Sequence, residues 1–203
     1  MTQHAHSRAP ATRRLRLATY NIHKGRGMDG RTRIDRIAEV IASLDADVIA
    51  LQEVVGGGPE EEGQAADLAA RLGMGWTMDA VRLLRGKSYG NVVLSRFPIA
   101  QSQACDLSCD KREPRGCMRV DVDLQGQVLH LFNVHLGTAV MERRKQAPRL
   151  AEFVAEHTMP GPRALLGDFN EWVKGLTSKT LGSMLEGVDL SQHLRRRRTY
   201  PGV

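Results

Sequence analysis

Apolar positions along the chain change period several times, and each change marks an element. Ile34, Ile37, Ala38 and Ile41 recur at helical spacing, which predicts an amphipathic helix ending near Leu44, with Asp45 to Asp47 as the turn behind it. A second helix is predicted over Gln64 to Leu72 with Gly73 as its stop signal. A third, from about Ala139 to Glu156, rests on Ala147, Leu150, Ala151 and Val154, with Pro148 expected to perturb it. Between the helices lie apolar runs of strand length: "RLRLATY" (Arg14 to Tyr20), "DVIALQEV", and "GNVVLSRFPI" (Gly90 to Ile99), read as one strand broken by Pro98. "MRVDVDLQGQVLHLFNVHL" alternates on both sides of "QGQ", the pattern of a β-hairpin. "VVGGGPEEEG" reads as a solvent loop.

The strands share one anomaly, which is that they end in polar groups. Asn21 closes the first run, Gln52 and Glu53 the second, Asn133 and His135 the hairpin, and Asp168 with Asn170 the run "RALLGDFNEW", with Glu171 just behind. An isolated buried carboxylate costs several kcal/mol unless something positive or hydrogen-bonding compensates it. In open sheets, ligands gather at the carboxyl ends of strands. The antiparallel hairpin makes any sheet here a mixed one.

Composition narrows the setting. A chain of 203 residues suffices for one domain with a sizeable core, and its Ala, Val, Leu and Ile content points to a soluble α/β protein. No apolar run approaches membrane-spanning length and no secretory signal precedes the first strand, so the expected location is cytoplasmic. Cys105, Cys109 and Cys117 are odd in number and lack zinc-site spacing, which predicts reduced thiols. The net charge of +6 comes from the ends. Arg8, Arg13, Arg14 and Arg16 at one terminus and Arg195 to Arg198 at the other leave the body slightly acidic, so the basic balance implies weak nonspecific attraction to polyanions rather than a docking face.

Singly, the strand-end residues have ordinary explanations. Asn21 could be a turn residue, His135 a satisfied core histidine, and Asp168 with Asn170 an Asx-turn. Jointly, two carboxylates with amides and an imidazole, and no thiol cluster, suit a hard divalent cation better than zinc.

The order of motifs then becomes informative. "TYNIHKG", "ALQEV", "GNVVLSRFPI", "NVHLG" and "LGDFNE" resemble, in sequence order and rough spacing, the endonuclease/exonuclease/phosphatase family of metal-dependent phosphoesterases, from about Leu15 to Tyr200. The resemblance implies an α/β fold of two mixed β-sheets packed face to face and flanked by helices, a four-layer αββα sandwich. Residues 1–14 would be a disordered basic tail and residues 15–203 the domain. It implies Mg²⁺- or Mn²⁺-dependent hydrolysis of a phosphoester, most readily a phosphodiester of nuclease type, by in-line attack of water. Glu53 would be the main metal carboxylate with Asn21 beside it, Asp168 the residue that orients or deprotonates the water, and Asn170 a donor to phosphoryl oxygens. His135 would contact the phosphate or assist the leaving group, a task suited to an imidazole titrating near neutrality. Asn91 and Arg115 are looser candidates for holding the phosphate. Arg115 reads equally as a surface arginine in a loop. His23 stands where some relatives carry a carboxylate. A phosphoester substrate, with nucleic acid one candidate and phospholipid or sugar phosphate the others, would be the partner of a monomer. A catalytically inactive remnant that binds metal and phosphate is the competing reading.

At the carboxyl end the sequence departs from the pattern. Family members continue past a Thr-Tyr-Pro stretch into a strand bearing Asp and then a Ser-Asp-His motif, and neither follows "HLRRRRTYPGV". The expectation is a domain incomplete at its C-terminus, lacking its last strands and impaired in rate. The Arg run reads as a solvated tail or as a polybasic patch that steers nucleic acid.

Overall fold

Why "DVIALQEV" is apolar on both faces becomes clear once its neighbours are placed. A computed structural model describes residues 14–56, 63–156, 159–171 and 175–186. In chain order these form β1 (Leu17–Asn21), a single 3-10 turn (His23–Gly25), α1 (Ile34–Leu44), β2 (Val48–Val55), α2 (Gln64–Leu72), β3 (Gly75–Leu84), β4 (Lys87–Ser95), β5 (Ile99–Asp106), β6 (Gly116–Asp123), β7 (Val128–His135), α3 (Val140–Glu156), β8 (Arg163–Asp168) and α4 (Leu176–Leu181). Two four-stranded sheets result, ordered β1-β2-β4-β3 and β5-β6-β7-β8. Each is mixed: β1 runs parallel to β2 and β7 parallel to β8, while the other pairings are antiparallel. The parallel pairs are the ones joined by helical crossovers, α1 and α3, as parallel neighbours require.

Three apolar clusters define the layers. Val48, Val93, Met118, Val120 and Leu131 meet between the sheets. Ile49, Leu51, Val92 and Leu94 turn the other way onto Ile37, Ile41 and Leu68 of the helices, and Phe132 and Val134 pack on Leu150 and Phe153. The αββα sandwich expected from the motifs is therefore present. β2 sits inside one sheet with helices on one face and the second sheet on the other, so none of its first five residues is exposed.

The helices and the hairpin fall where the periodicity puts them, and α2 ends at Gly73 in the left-handed region. Pro148 lies within a continuous α3. "GNVVLSRFPI" is not one strand, however. β4 stops at Ser95 and β5 begins at Ile99 in the opposite sheet, so the Arg96 to Pro98 segment carries the chain between layers. β3, β5 and α4 carry no clear periodic signal. β5, "IAQSQACD", is an edge strand exposed along most of its length, where apolar alternation is not needed. The basic tail over residues 1–14 lies outside the described residues except for Arg14, as do the centre of the acidic Gly-rich loop, the Arg195 to Arg198 run and the Thr-Tyr-Pro stretch.

Candidate active site

Alternation places the site. Along β1, Ala18 and Tyr20 pack toward the helices, so Asn21 follows Leu17 toward the opposite sheet. By the same parity His135 follows Leu129 and Leu131 on β7, and Asp168 follows Ala164 and Leu166 on β8. β1 and β8 are the edge strands at one side of the sandwich and touch each other. Asn21, His135 and Asp168 therefore converge at the carboxyl ends of their strands, in the cleft between the sheets.

Glu53 reaches the same place by breaking the alternation. Strict period two would send Glu53 toward the helices with Ile49 and Leu51. The β2–β4 ladder instead shifts register between Leu51 and Val54, Glu53 adopts φ +57, and Val54 rejoins the helix-side cluster. This is a β-bulge, which re-aims one side chain at a strand's end. A left-handed non-glycine residue is strained and tends to persist where surrounding structure over-determines it, as at functional sites.

The geometry is close. The Asn21 amide nitrogen donates to Glu53 Oε1 at 3.2 Å and to Asp168 Oδ2 at 3.0 Å, so one side chain ties both carboxylates together. Asn21 Oδ1 accepts the His23 backbone N–H. Glu53 also faces cations: Lys24 Nζ bonds its Oε2, and His23 Nδ1 lies 3.4 Å from its Oε1. Burial alone would raise the Glu53 pKa, but the Lys24 hydrogen bond and charge, with Asn21, overcome it and hold the carboxyl down at about 2. The Tyr89 phenol is pushed up in pKa by burial and then by the Glu53 charge.

His135 Nε2 lies 3.9 Å from Asp168 Oδ2. The ring is buried, and burial together with the Arg115 guanidinium lowers its pKa to about 4 despite Asp168 and Glu53. The expectation of an imidazole titrating near neutrality is thus corrected: His135 is neutral at physiological pH. Arg115 is also no surface residue. It is 6 % exposed, lines the cleft, pairs with Glu113 at 3.0 Å, and keeps a buried Nε without a protein partner.

Asn170 lines the cleft too. Its backbone N–H donates to Asp168 Oδ1 at 2.9 Å and its amide donates to the Leu136 carbonyl at 2.8 Å, so the Asx-turn reading and the cleft placement both hold. Asn91 does not reach the cleft wall. It is buried between the sheets and donates to the Gly116 carbonyl at 3.1 Å, where it props the start of β6 behind Arg115. Glu171 accepts the backbone N–H groups of Thr177 and Ser178, an anionic cap on α4.

Sequence reasoning missed Lys24, Tyr89, Arg82 and Glu113. Lys24 stood inside the quoted "TYNIHKG" and Tyr89 just before "GNVVLS". Arg82 had no such signal; its guanidinium stacks 4.4 Å from the Tyr89 ring centre and bonds Glu113.

The open cleft has a volume of about 1200 Å³. Its oxygen donors fit a hard cation that uses one or two carboxylates and keeps several waters, and Lys24 already places a positive charge on Glu53. Among the described residues, no three His, Cys, Asp or Glu side chains gather closely enough to hold a metal ion by themselves, so a cation here would rest on Glu53 with amide oxygen and water.

Residues 18–186 match the family model described as Endonuclease/Exonuclease/phosphatase family. The chain belongs to this family. It is 29 % identical over 200 residues to the uncharacterized protein YbhP of Escherichia coli K12, covering 92 % of this chain and 79 % of that one. The crystal structure of an endonuclease/exonuclease/phosphatase from Beutenbergia cavernae superposes with a TM-score of 0.64 at 30 % identity, covering 78 % of this chain. This chain spans about half, 48 %, of that structure. The mannosyl-6-phosphatase Bt3783 of Bacteroides thetaiotaomicron shares the fold, with a TM-score of 0.65 at 23 % identity over 84 % of this chain and 70 % of its own. No helix among the described residues is long and apolar enough to cross a membrane.

Proposed function

We propose that the chain hydrolyses a phosphoester, most readily a phosphodiester, in the cleft between the sheets, with Mg²⁺ or Mn²⁺ as cofactor and water as the in-line nucleophile. The observation that supports this reading is the Asn21 amide in contact with both Glu53 and Asp168, which brings the two carboxylates close enough that one could anchor a cation and the other orient water at a single phosphorus centre. Glu53, with Asn21 beside it, would hold the cation. Once bound, such an ion neutralises charge on the nonbridging and leaving oxygens of the ester.

The chain's own groups supply the rest. Asp168 is fixed at both oxygens, by Asn170 and by Asn21, so its carboxylate can orient a water and take its proton. Neutral His135 donates an N–H to a phosphoryl oxygen without adding a full charge. Arg115 presents a planar guanidinium already desolvated, a suitable clamp for an oxygen pair. Asn170 keeps one amide N–H for a third oxygen.

Hydrolysis of bis(p-nitrophenyl) phosphate with Mg²⁺, compared between wild type and Glu53→Gln, tests this. Loss of at least about 100-fold in the variant is expected, the scale of removing an electrostatic stabiliser of the transition state. Calorimetric Mg²⁺ binding by the wild-type protein without turnover on any phosphoester would overturn hydrolysis in favour of a binding protein.

A further inference from the structure

The strand directions put several loops at one end of the molecule. β1, β2, β7 and β8 all finish at the cleft, and β4, antiparallel to β2, begins there with Tyr89 opposite Val55. The β3–β4 turn around Arg85 therefore lies at the cleft end. So do the loop after the 3-10 turn, the start of α3 just beyond cleft-lining Thr138, and the start of α4 held by cleft-lining Glu171.

Each of these segments exposes a large apolar side chain. Met28 is 79 % exposed, Leu83 69 %, Val140 57 %, Met141 61 % and Leu176 45 %. Among the described residues, three further large apolar side chains are comparably exposed, namely Val40 and Leu44 on α1 and Met159. Scattered exposed apolar residues are ordinary, but their concentration around the cleft mouth is not explained by packing.

The same segments are basic. Residues 23–35 hold Lys24, Arg26, Arg31 and Arg33 against Asp29 and Asp35, with Lys24 paired to Glu53 and Arg33 to Asp35; the β3–β4 turn holds Arg85 and Lys87; the first turns of α3 hold Arg143, Arg144 and Lys145; and the sequence after β2 sets Glu60, Glu61 and Glu62 against these cations. The acid in those turns of α3, Glu142, is buried and accepts the Ala139 backbone N–H. A surface that interleaves exposed thioether and aliphatic tips with cations matches an interface that is anionic outside and apolar beneath. Nucleic acid would use the cations and stack its bases on exposed aromatics, yet no described aromatic residue at this end is exposed: Tyr89 is buried, and Tyr20 and Phe169 are half-buried in the cleft wall.

We propose that the cleft-bearing end of the sandwich docks on an anionic phospholipid surface, Met28, Leu83, Val140 and Met141 entering the headgroup layer and the flanking arginines meeting its phosphates. Docking does not depend on hydrolysis. Its consequence, that the cleft faces a headgroup phosphoester as substrate, rests on the reading of the cleft given above.

Sedimentation of the full chain with vesicles tests docking directly. Binding is expected to phosphatidylglycerol-containing vesicles and not to pure phosphatidylcholine. The triple variant Leu83→Ser/Val140→Ser/Met141→Ser, which keeps every cation and leaves the cleft lining untouched, is expected to bind on the order of tenfold or more weakly. Arg85→Ser/Arg144→Ser is expected to weaken binding and to make what remains less sensitive to salt, because two cations that meet the headgroup phosphates are gone. Triple-variant binding equal to wild type would overturn the proposal, as would a preference for duplex oligonucleotide over anionic vesicles. Glu53→Gln should still sediment with vesicles, and the triple variant should still hydrolyse bis(p-nitrophenyl) phosphate at the wild-type rate. Failure of docking and failure of the phosphoester reading therefore give different results.

Discussion

Asp79 and His135 are displaced from their ordinary pKa values in opposite directions, and their effects on stability have opposite signs. Burial, and then the nearby Asp106, raise Asp79 from 3.8 to about 6. Between those values the folded chain holds a proton that the unfolded chain releases, so stability falls as pH rises through the window. Asp79→Asn is expected to stabilise the protein by about 1–2 kcal/mol near neutral pH and by almost nothing near pH 4, in urea unfolding followed at both. For His135, lowered from 6.5 to about 4, the unfolded chain takes the proton first. Stability is then lost as pH falls across that window, and His135→Gln is expected to lose about 1–3 kcal/mol less than wild type over the same acid titration. At this scale the sequence named the strand-end residues but not their protonation, because burial and the neighbouring Arg115 are set by distant parts of the chain.

At the scale of elements, the position of Asp168 depends on how closely β8 approaches β7. Gly167 has φ +145, and a Cβ there would meet the Val134 carbonyl oxygen at 1.9 Å. Gly167→Ala is therefore expected to destabilise by roughly 3 kcal/mol or more and to lower activity by displacing the adjacent Asp168. Gly86→Ala, at φ +80 with open space around it, incurs only backbone strain, roughly 1 kcal/mol; thermal unfolding of both variants separates the two effects. Helices α1 and α2 were legible because each buries one face, which imposes a period. β3 and β5 were not, since edge strands need no such alternation. The Glu53 bulge was equally invisible, because a one-residue change of phase at a strand's end leaves too few positions to reveal it.

For the whole molecule, the two sheets are joined by buried amides as well as by apolar packing. Gln52 donates to Asn133 Oδ1 at 2.8 Å, and the Asn133 amide donates to the Leu51 and Val92 carbonyls at 3.0 and 2.9 Å. Leu51 and Val92 form the last regular rung before the bulge, so Asn133 supports the backbone that aims Glu53. Asn133→Ala, which leaves these groups without partners at a site of zero exposure, is expected to cost about 2–4 kcal/mol in denaturant unfolding and to reduce activity beyond what stability loss explains.

The amino-acid sequence alone determined which segments become helices and strands wherever one face is buried, and which strands terminate in oxygen- and nitrogen-bearing side chains, because period and polarity are local properties of the chain. Only the tertiary structure decided that Asn21 touches Glu53 and Asp168, that Asn91 serves the sheet interior while Arg115 lines the cleft, and that His135 is neutral. Those outcomes depend on crossovers, a bulge and desolvation contributed by residues far apart in sequence, and no single stretch of chain encodes them.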